Sequence, residues 1–191
     1  VEADSRCCSP VWGRNRAFPS RIASIIRNSG AVPYIRLMLR STPDQNRPES
    51  VFTLDRIIAG SFDQELKRWA YGAKRFRTPV LIEYGTEMNG EWFPWNARWN
   101  GKEEGAEKFR RAYRHIISIM DSAGASNIIW VFHINGGDYP AHAWNRFERY
   151  YPGDGYIDWI GISAYGPQTP LDASGEQFST IINRIYPRVI R

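Results

Sequence analysis

The segment 80–96 joins an apolar run typical of a β-strand to a carboxylate and a cluster of aromatic rings. Glu87 supplies the carboxyl group, and Trp92 and Trp95 follow it within eight residues. Cleavage of a glycosidic bond needs a carboxyl group that protonates the departing oxygen, and pyranose rings stack on flat aromatic faces. The pattern therefore predicts a sugar-cleaving site where a strand ends. The alternative is a loop whose aromatic residues only cover the core.

Three blocks, in order, resemble glycoside hydrolase family 26. Glu87-Met88-Asn89-Gly90 and the aromatic residues after it resemble that family's acid/base segment, and residues 127–132 and 151–165 resemble its next two strands. The resemblance covers about residues 30 to 185. It implies a retaining endo-β-glycosidase that is secreted and acts on a β-linked oligo- or polysaccharide, either mannan or mixed-linkage glucan. A non-catalytic carbohydrate-binding or pseudo-enzyme fragment is the alternative.

The resemblance also implies roles for individual residues. Glu87 would be the general acid and then the base, and the nucleophile would lie on a strand beyond Arg191. Tyr165 matches the family's strand-end tyrosine, which would hydrogen-bond the nucleophile, although it could also only close the barrel mouth. The expected sugar platforms are Trp92 and Trp95, and the expected hydroxyl partners are Asn89, His133 and Asn135. For His133, a buried structural histidine is the favoured alternative.

Other carboxylates of the chain are weak substitutes for the nucleophile. Asp154 and Asp158 match family positions that look structural, and Asp138 follows a Gly-Gly pair.

Two residues depart from the family pattern. Thr86 stands where the family usually has the histidine before the acid, which puts contacts to the sugar 2-hydroxyl in doubt. Glu83 stands where the family often has arginine. Residues 83, 85 and 87 alternate onto one strand face, so Glu83 should point into the barrel and need a cation. We predict a buried ion pair with Arg36, from the preceding strand.

Four helical patterns alternate with four strand patterns, which indicates parallel strands covered by crossover helices. The predicted strands are 32–39, 80–87, 127–133 and 156–165. The first predicted helix follows Pro19 and has Ile22, Ile25 and Ile26 on one face. The second and the fourth begin at capping boxes, Ser61 with Gln64 and Ser174 with Gln177. The third contains residues 109–120, and Pro187 should end or kink the fourth.

The resemblance favours a (β/α)8 barrel, a fold of typically about 250 residues. Only four strand patterns are present in 191 residues. We therefore expect an α/β fold that is part of a TIM barrel, with about four parallel strands and truncation at both ends. Residues 1–191 would form a single partial barrel domain that begins with an irregular segment, 1–17.

Composition argues against other classes of protein. No apolar run reaches the roughly 18 residues of a membrane helix, and the start lacks the pattern of a signal peptide. The net charge of +5 comes from dispersed lysines and arginines, so neither a membrane nor a nucleic acid is an expected partner. Cys7 and Cys8 are adjacent and lack metal-site spacing. A monomer without cofactor is expected.

Two other hydrolase classes fit the sequence poorly. The run 161–165 resembles a serine esterase motif but lacks its last glycine, and all three histidines precede Ser163. A metal hydrolase would have to gather His133, Asp138 and His142 across two glycines and a proline, and the sequence has no HExxH motif. No metal site is expected.

Overall fold

The structure, a computed structural model, describes Trp12 and residues 16–166 and 175–190. One parallel sheet holds four strands in the order β1-β2-β3-β4. These strands are β1 (Tyr34–Leu37), β2 (Val80–Tyr84), β3 (Ile128–Asn135) and β4 (Trp159–Ser163). The predicted α/β architecture with four parallel strands is confirmed, although three of the strands are shorter than their apolar runs.

Five α-helices connect and cover the strands. They are α1 (Ser20–Asn28), α2 (Leu54–Ile58), α3 (Asp63–Phe76), α4 (Glu103–Ser122) and α5 (Phe178–Val189). The long helix α4 buries Phe109, Tyr113 and Met120 at the three-to-four-residue spacing of one helix face. The Tyr113 hydroxyl donates to the Val131 carbonyl oxygen at 2.8 Å and accepts from the Tyr84 amide at 3.3 Å. Helix α4 therefore fixes β2 beside β3.

Three details of the helix predictions are wrong. Ile25 is 61% exposed, and the buried residue of α1 is Ala23. The capping box at Ser61 does not form, because α3 begins at Asp63 after Phe62 and has no side-chain cap. Instead, Thr53 caps the short helix α2, which the sequence did not predict.

The chain start and the segment before the last helix are described only in part. Gln177 precedes α5 without a side-chain cap, and α5 runs two residues past Pro187. The second capping box cannot be assessed, because Ser174 lies outside the described residues, as do Cys7 and Cys8. Among the described helices, none is both long and apolar enough to cross a membrane.

Large apolar side chains are exposed mainly in two parts of the described chain, before β1 and from β4 onward. Of the nine such side chains that are exposed within the described residues, five follow residue 158 and two lie between residues 25 and 32. Trp159, on β4, is 62% exposed. The other six are Tyr165, Phe178, Tyr186 and Ile190 near β4 and α5, and Ile25 and Val32 near α1 and β1.

Candidate active site

Glu87 lies just beyond the carboxyl end of β2, where the backbone leaves the strand. Gly85 has a φ of 67°, and a β-carbon there would lie 2.3 Å from the Phe109 ring, so only glycine fits. Glu87 itself has a φ of 48°, an uncommon conformation for a residue with a side chain. Its amide donates to the His133 carbonyl oxygen at 2.9 Å. The glutamate is therefore held at the edge of the sheet, beside β3.

Two neutral donors hold the half-buried carboxylate of Glu87. Trp92 Nε1 donates to Oε2 at 2.9 Å, and Asn135 Nδ2 donates to Oε1 at 3.4 Å. The Trp92 ring lies against Gly90, where a β-carbon would come within 2.2 Å of it. No residue in the described part of the chain forms an ion pair with Glu87. Trp92 thus lies beside the carboxylate, and its role as a sugar platform stays a prediction.

Trp95 is buried, so the expectation that both Trp92 and Trp95 are sugar platforms beside Glu87 is wrong for Trp95. Its indole is 2% exposed and stacks on Phe93 with ring centroids 4.8 Å apart. Trp95 Nε1 donates to the Thr86 carbonyl oxygen at 2.9 Å. Trp95 therefore supports the backbone beside Glu87 from inside the core. The segment is a series of turns, in which spacing does not reveal where a side chain points.

Tyr139 is an exposed aromatic residue of the site that the sequence analysis missed. Its ring is 52% exposed and lies 5.9 Å from the Trp92 ring, tilted by 42°. Tyr139, Asn135 and Tyr165 line one shallow cavity of about 200 Å³. Tyr165 is also exposed, and its expected contact with the nucleophile stays a prediction. The available signal for Tyr139 was an aromatic residue beside a proline shortly after a strand end.

Asn89 is fully buried, which argues against its expected contact with sugar hydroxyls. Its Oδ1 accepts from the Asn135 amide at 2.9 Å. Its Nδ2 lies 3.0 Å from the carbonyl oxygens of Asn135 and Gly137 and from Asp138 Oδ1. All polar atoms of this side chain are thus engaged within the protein.

The predicted ion pair between Arg36 and Glu83 is confirmed, but only Glu83 is buried, because the Arg36 side chain is 39% exposed. The two residues are register partners on β1 and β2, and Arg36 Nε lies 3.1 Å from Glu83 Oε1. The nitrogen is off the hydrogen-bond direction, so Oε1 has no hydrogen-bond donor among the described residues. Oε2 accepts from two donors that were not predicted from the sequence, the Tyr34 hydroxyl and His133 Nδ1, the latter at 2.5 Å.

Burial by itself raises the pKa of Glu83. Hydrogen bonds from His133 and Tyr34, together with the positive charges of His133 and Arg36, outweigh burial and hold the pKa below its ordinary value. Glu83 is therefore an ionised structural carboxylate.

His133 belongs to this buried network, and the structural alternative describes it better than a contact with sugar. Its Nε2 lies 2.8 Å from Ser163 Oγ, and its Nδ1 lies 3.1 Å from Thr86 Oγ1 as well as near Glu83. The Thr86 side chain is buried too. Polar groups from all four strands thus meet in one network, which lies nearer the start of β2 than Glu87 does.

The three aspartates considered as substitute nucleophiles have structural partners. Asp138 bonds Arg188 and Asn89, Asp154 accepts from the Tyr151 hydroxyl, and Asp158 accepts from the Trp130 amide. In the described part of the chain, no cluster of three or more His, Cys, Asp or Glu residues is arranged to hold a metal ion.

The fold and the site define a class. A carboxylate at the carboxyl end of a parallel strand, beside exposed aromatic rings, is the arrangement of a carbohydrate-active site on a (β/α) barrel. The model of Glycosyl hydrolase family 26 matches residues 49–188, and the chain belongs to this family.

Relatives of known name agree with this assignment. Endoglucanase H of Acetivibrio thermocellus is 27% identical over 183 residues, which cover 92% of this chain and 18% of that protein. A mannan endo-1,4-beta-mannosidase of Bacillus subtilis is 36% identical over 112 residues, 56% of this chain and 29% of that protein. The chain thus spans less than a third of either relative.

Solved structures show the same fold. The B. subtilis mannanase BCman matches with a TM-score of 0.62 and 24% identity over 88% of this chain and 60% of its own. A β-mannanase from a symbiotic protist of the termite Reticulitermes speratus, complexed with gluco-manno-oligosaccharide, matches with a TM-score of 0.58 and 20% identity over 78% of this chain and 47% of its own. The four-stranded sheet therefore corresponds to about half of a (β/α)8 barrel.

Proposed function

We propose that this chain carries the acid/base half of the active site of a retaining endo-β-glycosidase, with Glu87 as general acid and then base. One observation carries the proposal. The Glu87 carboxylate stands half-exposed at a strand end, held by two neutral donors, Trp92 and Asn135. The names of the relatives, a mannosidase and an endoglucanase, support a β-linked polysaccharide as substrate, either mannan or mixed-linkage glucan. Because such a polymer cannot cross a membrane, the proposed place of action is outside the cell.

The proposed role requires a proton to enter and leave the same carboxyl group. In the first step Glu87 protonates the departing glycosidic oxygen, and in the second it takes a proton from water. Neutral donors fix the orientation of the carboxylate without the strong preference for its charged form that a cation would impose. Trp92 and Tyr139 offer ring faces beside it, on which a pyranose ring can stack.

A retaining mechanism needs a second carboxylate about 5 to 5.5 Å away. Glu83 is unsuited to this role, because it is fully buried and paired with Arg36 and His133. We propose that the nucleophile comes from further β/α units of the full-length enzyme. The exposed Trp159 on β4, with Val32 just before β1, supports units that continue the sheet at both edges. The 191-residue chain alone should then be nearly inactive.

A non-catalytic carbohydrate-binding fragment is the second candidate, favoured by the exposed rings of Tyr139 and Tyr165. Such a fragment would bind β-linked oligosaccharides, and the full-length protein would not cleave them.

Replacement of Glu87 by alanine in the full-length enzyme tests the main proposal. Hydrolysis of the natural polysaccharide should slow by about 10²- to 10⁴-fold, because its leaving group needs a proton. A dinitrophenyl glycoside should still form the glycosyl-enzyme rapidly, because its leaving group needs none. Glu91→Ala is the matched control, since Glu91 lies on the same loop and pairs with Arg98. Wild-type hydrolysis of polysaccharide by Glu87→Ala would falsify the assignment.

A further inference from the structure

Three asparagine side chains form a buried cluster next to the Glu87 loop. Asn89, Asn96 and Asn145 are each 0% exposed. A buried amide is costly unless it is hydrogen-bonded, and each of these amides uses both its oxygen and its nitrogen in bonds within the protein. The cluster joins the loop after β2 to the loop after β3.

Asn89 makes the direct link between the two loops. It lies two residues after Glu87, and its side chain makes three short contacts with the backbone of Asn135 and Gly137 and a fourth with the Asp138 carboxylate. Its own carbonyl oxygen accepts from the Tyr139 amide at 2.8 Å. Gly90 and Tyr139 form an isolated parallel bridge next to this bond.

Asn145 and Asn96 also hold the backbone of this segment, through hydrogen bonds to the carbonyl oxygens of Asn89 and Met88. Asn145 Nδ2 donates to the carbonyl oxygens of Asn89 and Pro140, both at 2.9 Å. Asn145 Oδ1 accepts from Asn96 Nδ2 at 2.8 Å and from the Tyr150 hydroxyl at 2.6 Å. Asn96 Nδ2 also donates to the Met88 carbonyl oxygen at 2.7 Å. The carbonyl oxygens of both Met88 and Asn89 are thereby held.

The cluster matters because the two donors to Glu87 come from different loops. Trp92 lies on the loop after β2, whereas Asn135 ends β3. The distance between these two loops decides whether Trp92 and Asn135 can both donate to the Glu87 carboxylate. The Asn135 amide is bonded to Asn89 Oδ1, and its side-chain oxygen accepts from the Gly137 amide, so the asparagine is oriented through Asn89 and its neighbours.

We propose that Asn89, supported by Asn145, is a positioning residue that places the Glu87 carboxylate for proton transfer and does not itself bind sugar. This inference rests on the proposed function of Glu87. Small displacements of a reacting group cost much of the rate, and about 1 Å can cost about 100-fold. Replacement of a residue that only stabilises the fold would lower stability, but it would not slow proton transfer more than the other steps of the reaction.

The first test uses the 191-residue chain and needs no activity. In Asn89→Ala, hydrogen exchange should increase in residues 85–92 and 135–139 and stay unchanged in α4. Asn127→Ala is the matched control, because the Asn127 amide also bridges two carbonyl oxygens, those of Ala73 and Thr78, near the start of the strands. Asn89→Ser, which keeps one donor, replaces Asn89→Ala if the alanine variant does not fold.

The second test uses the full-length enzyme. In Asn89→Ala, hydrolysis of polysaccharide should fall by about 10- to 100-fold, while the first release of dinitrophenol from a dinitrophenyl glycoside, measured before the glycosyl-enzyme is hydrolysed, should fall by less than about threefold. Asn127→Ala should leave the ratio of the two rates unchanged. An equal loss on both substrates, or unchanged exchange in the two loops, would overturn the positioning role. If Glu87→Ala itself shows no dependence on the leaving group, the proposed function of Glu87 fails, whereas the exchange result still decides whether Asn89 orders the loops.

Discussion

Glu83 and Glu87 stand four residues apart in the chain but in opposite surroundings. Glu83 is fully buried between the cation Arg36, the Tyr34 hydroxyl and His133. Glu87 is half-exposed at the sheet edge and is held by an indole and an amide. The backbone separates the two environments, because Gly85 and Glu87 both leave the strand conformation at positive φ.

The difference assigns a separate task to each carboxylate. A glutamate that is surrounded by positive charge and hydrogen-bond donors stays ionised and cannot supply a proton near neutral pH. A glutamate held by neutral donors can exchange a proton with a sugar oxygen or with water. Stability should therefore depend on Glu83, and proton transfer should depend on Glu87.

The largest stability effect is expected from loss of the Arg36 cation. Arg36→Met should lower the free energy of unfolding by about 2 to 3 kcal/mol, because the buried Glu83 charge loses its cation, while solvent partly screens the Arg36 side chain, which is 39% exposed. Urea unfolding of the 191-residue chain measures it. Arg16→Met is the control, since its 2.8 Å pair with Glu65 lies on the surface and should be worth less than about 1 kcal/mol. Equal losses in both variants would contradict the structural role of Glu83.

The two tryptophans near Glu87 should differ as the two glutamates do, with Trp95 important for stability and Trp92 for the rate of hydrolysis. Trp95→Phe should cost about 1 to 3 kcal/mol of unfolding free energy, because the buried Thr86 carbonyl oxygen loses its donor. Trp92→Phe should cost less than about 1 kcal/mol but should slow polysaccharide hydrolysis by the full-length enzyme, since Glu87 loses its closer donor. A larger stability loss in Trp92→Phe than in Trp95→Phe would contradict the assignment.

Acid unfolding should show the lowered pKa of Glu83. Its stabilising contribution is complete above the ordinary value of 4.5 and is lost as the pH falls through the lower pKa of the folded state. Glu83→Gln should therefore be less stable than wild type at neutral pH, and the difference should shrink toward acid pH. A Glu83→Gln curve parallel to wild type would show that Glu83 does not titrate in this way.

The smallest effect is expected at Asn135. Its 3.4 Å contact with Glu87 Oε1 is long, so Asn135→Ala should reduce hydrolysis of polysaccharide by about 2- to 10-fold, which corresponds to about 0.5 to 1.5 kcal/mol. Steady-state rates of the full-length enzyme measure this loss. A reduction of more than 100-fold would mean that Asn135 does more than orient the carboxylate.

Regular alternation explains which features could be predicted from sequence. Arg36 and Glu83 lie on strands whose inward faces follow a period of two, so their contact was predictable, and Tyr34, two residues before Arg36, could have been added on the same ground. Trp95 and Asn89 could not be placed, because both lie in a segment of turns. The site of Tyr139 depends on the path of the Gly136-Gly137 loop, which no periodicity describes.

Chemical rescue tests the central claim most directly. The full-length Glu87→Ala enzyme, given a dinitrophenyl β-glycoside, should form the glycosyl-enzyme and then hydrolyse it slowly, because no base activates water. Added azide needs no base. It should attack the anomeric carbon as the bond to the nucleophile breaks, so the predicted result is faster turnover and a β-glycosyl azide, with the configuration retained. An α-glycosyl azide, or turnover that azide does not accelerate, would contradict the role of Glu87 as the acid/base.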